Sequence, residues 1–109
     1  MGASTRTPLR VVLIEDSPIL RDMLRELLGE LEGMQVVTDA DDEAGALAEL
    51  ERHRADLAIV DLELRAGSGL GVLDRLHAEA ARYGHPRAVV LSNYGHSTVR
   101  ARWWSCQLK

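Results

Sequence analysis

Apolar and polar positions alternate along the chain in two different periods. Arg10-Val11-Val12-Leu13-Ile14 is a short apolar run rich in β-branched residues, the pattern of a strand buried on both faces. It stops at Glu15-Asp16-Ser17-Pro18, where Ser17 suits a helix N-cap and Pro18 the first helical position. Leu20, Met23, Leu24, Leu27, Leu28 and Leu31 then recur at helical spacing, with Gly29 or Gly33 to end the helix. Met34-Gln35-Val36-Val37 predicts a second strand. Asp41 and Asp42 are candidate caps for a second helix, with Ala44, Leu47, Ala48 and Leu50 on its inner face. Leu57-Ala58-Ile59-Val60 predicts a third strand ending at Asp61. After the loop Gly67-Ser68-Gly69, a third helix carries Leu70, Val72, Leu73, Leu76 and Ala80 until Gly84-His85-Pro86 breaks it. Ala88-Val89-Val90-Leu91 predicts a fourth strand ending at Ser92-Asn93, and Ser97 or Thr98 is expected to start a fourth helix.

Four strand–helix alternations predict an α/β fold with a doubly wound parallel sheet. Its crossovers are right-handed, so the helices divide between the two faces only where the strand order reverses. Ligands of such sheets bind beyond the carboxyl ends of the strands near that reversal. With 109 residues the chain has room for one core. Residues 1–8 are expected to be a flexible leader, 9–102 the domain and 103–109 a divergent tail.

Composition narrows the function classes. Hydrophobic residues make up 46% and charged residues 28%, the formal net charge is −4, and no basic run occurs, which argues against a nucleic-acid surface. One cysteine, Cys106, allows no internal disulfide and points to a reducing compartment. No apolar run reaches the ~20 residues of a membrane helix. The expected location is cytoplasmic.

The candidate chemistry lies at the strand ends. The first strand delivers Glu15 and Asp16, the third Asp61 with Glu63 two residues on, and the fourth Ser92. Parallel strands bring these ends to one edge. Two carboxylates ~5 Å apart repel by roughly 3 kcal/mol at an effective dielectric of 20, so either a proton or a cation must settle among them. An all-oxygen ligand set suits a hard cation such as Mg²⁺.

An acidic pair after the first strand, a lone Asp after the third and a Ser after the fourth resemble the response-regulator receiver family of two-component signalling, whose fold is flavodoxin-like. The resemblance covers roughly residues 9–102. It implies that Asp61 accepts a phosphoryl group from a sensor histidine kinase. It further implies that Glu15, Asp16, Asp61 and the Glu63 backbone carbonyl hold Mg²⁺, and that the Ser92 hydroxyl acts as a switch on the phosphoryl oxygens. Such a domain is not itself an enzyme.

The sequence departs from the family at its C-terminus. No recognisable fifth strand with its lysine follows, and no fifth helix; the chain instead runs Arg102-Trp103-Trp104-Ser105-Cys106-Gln107-Leu108-Lys109. A bared strand edge and sheet face would then favour a homodimer. Arg65 stands where the family usually has Pro, and Gly71 where an Asp is common. Two other readings stand beside the first: a degenerate receiver acting as a non-catalytic protein–protein interaction module, and a small Mg²⁺-dependent phosphatase with Glu63 as second acid.

Overall fold

The structure is a computed structural model that describes residues 7–94 and 98–104, with side chains described through 91. Strand β1 (Leu9–Ile14) leads through Ser17 into helix α1 (Pro18–Gly29), with the Ser17 hydroxyl accepting from the Leu20 N–H. Strand β2 (Met34–Ala40) runs three residues past the apolar run that predicts it. Asp42, not Asp41, caps helix α2 (Glu43–His53) by accepting from the Gly45 N–H. Strand β3 (Leu57–Asp61), helix α3 (Gly69–Ala78) with N-cap Ser68, and strand β4 (Arg87–Tyr94) complete the repeat. Ala80 lies in a 3-10 turn (Ala80–Tyr83) after α3 rather than on the helix.

The sheet order is β2-β1-β3-β4-β5, with the first four strands parallel. The expected doubly wound, flavodoxin-like α/β architecture is therefore present. The predicted fourth helix is not: Thr98–Trp104 forms strand β5, antiparallel to β4. Thr98-Val99 and Trp103-Trp104 are β-branched and aromatic, and they favour a pleated strand over a helical turn. The β4 edge, expected to be bare, carries this strand. No parallel fifth strand and no fifth helix occur among the described residues.

The strands are buried on both faces, and alternate residues serve the two sides. Val12, Ile14, Ala58, Val60, Ala88 and Val90 face α2 and α3, where Ala46, Leu50, Val72, Leu73 and Leu76 close a large core with Tyr83. Val11, Leu13, Leu57, Ile59 and Leu91 face the other way, where only partly buried residues such as Leu24 and Leu28 of α1 lie over them. The second layer is thin. No residue of α1 is fully buried, and Ile19, Met23 and Leu27, four residues apart, stand exposed, Ile19 at 82%. Among the described residues no helix is long and apolar enough to cross a membrane.

Candidate functional site

The strand order reverses between β1 and β3, and Glu15, Asp16 and Asp61 gather there. Sheet register pairs Ile14 with Val60 and Asp61 with Leu91, so Glu15, the residue after Ile14, falls beside Asp61. Carboxylate oxygens of Glu15, Asp16 and Asp61 lie within 4.8 Å of one another.

The three carboxylates differ in environment. Glu15 is 1% exposed. One of its oxygens accepts from the Ser17 N–H at 3.0 Å, and the other, Oε1, is buried with no hydrogen-bond partner. Asp61 is half-buried and accepts from the Glu63 N–H at 3.2 Å. Burial pushes the Glu15 carboxyl up to about 7, and the neighbouring Asp61 and Asp16 charges add to this against the Ser17 N–H. Burial also raises Asp61, with the Asp16 and Glu63 charges adding to it and the Glu63 N–H opposing. Burial thus raises both carboxyls, Glu15 to about 7.

These observations fit a divalent cation. The donors are all oxygen, three carboxylates converge within ligand reach, and one buried carboxylate oxygen has no partner. Glu63 is exposed, and its backbone follows Asp61 by two residues, so a carbonyl is available on the same rim. Ser92 lies in β4 one residue beyond Leu91, the strand partner of Asp61; its side chain lies outside the described residues, as do His96, Cys106 and Lys109. β4 continues to Tyr94, so Ser92 is not the strand's last residue.

Gly67-Ser68-Gly69 is a turn into α3, with the Ser68 hydroxyl accepting from the Gly71 N–H. Gly69 is required by close approach: a Cβ there would lie 2.2 Å from the Asp61 carbonyl oxygen. Gly69→Ala is expected to lose about 1–3 kcal/mol of stability in urea unfolding, because backbone rather than a mobile side chain must yield.

The sequence does not single out Glu43, the first residue of α2. Its N–H donates to the Ala66 carbonyl at 3.0 Å, and its carboxylate accepts from the Ser68 N–H at 3.0 Å. Arg65 also reaches this turn, 3.1 Å from Asp41 and 3.6 Å from Asp42. The loop after Asp61 is therefore tied to the start of α2, a contact between segments more than twenty residues apart that no local pattern announces.

Comparison with known proteins agrees with the geometry. The family described as Response regulator receiver domain matches residues 11–107. Over 95 residues, 87% of this chain, the sequence is 37% identical to protein-glutamate methylesterase/protein-glutamine glutaminase 5 of Myxococcus xanthus, covering 26% of that protein. It is 33% identical to the Fimbriae Z protein of Salmonella typhimurium, again over 87% of this chain and covering 44% of that protein. The chain thus spans less than half of either relative. Among solved structures, the signal receiver domain of NarL from Mycobacterium tuberculosis superposes with a TM-score of 0.73 at 25% identity, over 84% of this chain and 72% of that one. The response regulator domain of Thermotoga maritima CheB shares the fold with a TM-score of 0.71 at 22% identity, over 83% of this chain and 66% of that one.

Proposed function

The chain belongs to the response regulator receiver domain family, and on that premise we propose that Asp61 accepts a phosphoryl group from the phosphohistidine of a sensor histidine kinase, with Mg²⁺ as cofactor. The observation that carries this reading is the convergence of Glu15, Asp16 and Asp61, with a buried Glu15 oxygen left unpartnered.

In this reading an Asp61 carboxylate oxygen attacks phosphorus. The phosphorus–nitrogen bond of the phosphohistidine breaks, its electron pair returns to the imidazole, and an acyl phosphate remains on Asp61. The Glu63 N–H, 3.2 Å from Asp61 Oδ1, fixes the carboxylate's orientation and leaves Oδ2 to attack. Glu15, Asp16, Asp61 and the Glu63 carbonyl would hold the cation. When bound, Mg²⁺ neutralises charge on the carboxylates and on the transferring phosphoryl oxygens. The Ser92 hydroxyl, one residue past the strand partner of Asp61, would donate to a phosphoryl oxygen. The exposed apolar stripe of α1 beside this edge supports a protein partner, the kinase first and a second copy of the chain next.

A second reading keeps the family and drops the chemistry: an interaction module that binds a kinase or another receiver without stable phosphorylation. The sequence of β5 favours it, since Thr98–Trp104 contains no lysine to meet the phosphoryl group. Incubation with Mg²⁺ and acetyl phosphate, read by intact-mass spectrometry, separates the two. A phosphoryl adduct on the wild-type chain is expected. Its absence at every donor concentration would leave only the interaction module, and steady phosphate release with turnover would indicate the phosphatase.

A further inference from the structure

We propose that Glu43 is a positioning residue for the metal site: it holds the loop that carries the Glu63 carbonyl, by capping α3 from a different helix. The inference rests on the reading of Glu63 as a backbone metal ligand.

Helix α3 begins with Ser68 as N-cap. In a capping box the N-cap hydroxyl bonds the N–H at the third helical position, and a Glu or Gln there returns a bond to the N-cap N–H. The first half is present, from the Gly71 N–H to the Ser68 hydroxyl at 3.0 Å. The second cannot be made locally, because the third helical position is Gly71. Glu43 makes it instead, accepting from the Ser68 N–H at 3.0 Å. The glycine leaves the space this needs: a Cβ on Gly71 would lie 2.3–2.5 Å from the Glu43 carboxylate, and one on Gly67 2.5 Å from its Cβ.

The link to the site is short. Glu43 grips residues 66–68 at both ends, by its own N–H to Ala66 and by its carboxylate to Ser68. Ser68 is joined to Glu63 in an antiparallel bridge, and Gly69 donates to the Leu62 carbonyl at 3.0 Å. Glu63 in turn donates to Asp61. Fixing Ser68 therefore fixes the backbone on which the Glu63 carbonyl and the Asp61 rotamer depend. Partners of this outer kind set metal affinity by orienting the ligands.

The test compares wild type, Glu43→Ala and Glu43→Gln in the full chain, by calorimetric Mg²⁺ titration and by amide hydrogen exchange without metal. Gln retains the carbonyl oxygen that accepts from Ser68. In Glu43→Ala, Mg²⁺ affinity is expected to fall about 10-fold, and the Ser68 amide to exchange roughly fivefold faster or more. Glu43→Gln is expected to restore both. Wild-type Mg²⁺ affinity in Glu43→Ala, measured where the protein is folded, overturns the proposal, as does a Gln variant as weak as the Ala variant. Failure of the underlying metal reading looks different, a flat titration of the wild-type protein itself.

Discussion

Asp61→Ala is expected to give no phosphoryl adduct with Mg²⁺ and acetyl phosphate under conditions that label the wild-type chain, and the isosteric Asp61→Asn should be as inert while making the metal-free protein more stable. The first outcome follows from removing the carboxylate that ends β3 and lies against Glu15. The second follows from the same crowding. Burial disfavours the charged form of Asp61, and Asp16 and Glu63 add like charge. An amide at that position removes the repulsion and keeps an oxygen to accept from the Glu63 N–H. At a dielectric typical of partly buried sites, one close like-charge contact is worth on the order of 1–3 kcal/mol. Urea unfolding of Asp61→Asn at mildly alkaline pH without Mg²⁺ should therefore show a midpoint above wild type. A lower midpoint would mean that the carboxylates do not repel one another as the geometry implies. A residual adduct in Asp61→Ala would move the acceptor elsewhere.

Glu15 should impose an inverted pH dependence on stability. Its carboxyl titrates near 7 in the folded chain against an ordinary value of 4.5. A group whose folded value lies above its unfolded value binds its proton more tightly in the native state, so its stabilising contribution is complete below about 4.5 and is lost as pH rises through about 7. Between about pH 5.5 and about pH 8 the metal-free protein should lose on the order of 2 kcal/mol from Glu15. Saturating Mg²⁺ should flatten the slope, because the cation binds the ionised form that the fold otherwise disfavours. Glu15→Gln should flatten it as well, without any cation, and should abolish Mg²⁺ binding. The comparison of wild type with Glu15→Gln isolates Glu15 from every other group in the chain. A wild-type protein whose stability rises over this window, or a Gln variant with the same slope, would show that Glu15 is ionised throughout.

Both predictions concern groups that weaken the fold. The residues gathered at the carboxyl edge are those whose charge the metal-free protein tolerates poorly, and the unpartnered Glu15 oxygen is the clearest sign of it. The opposite holds a few residues away. Gly69 packed on the Asp61 carbonyl, and Glu43 gripping residues 66–68, give the loop after Asp61 a defined path. The site thus combines charges that await a partner with a backbone that is already arranged.

Local sequence pattern was enough for the alternation of strands and helices, the cap Ser17, and the placing of Glu15, Asp16 and Asp61 at strand ends. These are consequences of local period and local capping, and parallel strands must deliver their carboxyl ends to one edge. Tertiary structure decided the rest. Only the sheet register sets Glu15 against Asp61, and only burial raises the Glu15 carboxyl to about 7. Ser97 and Thr98 resemble a helix cap, whereas pairing along the edge of β4 draws Thr98–Trp104 into the sheet. Glu43 lay unmarked for a similar reason. A first-turn acid on a helix is ordinary by itself, and its meaning comes from Gly67, Ser68 and Gly71, which the fold alone brings to it.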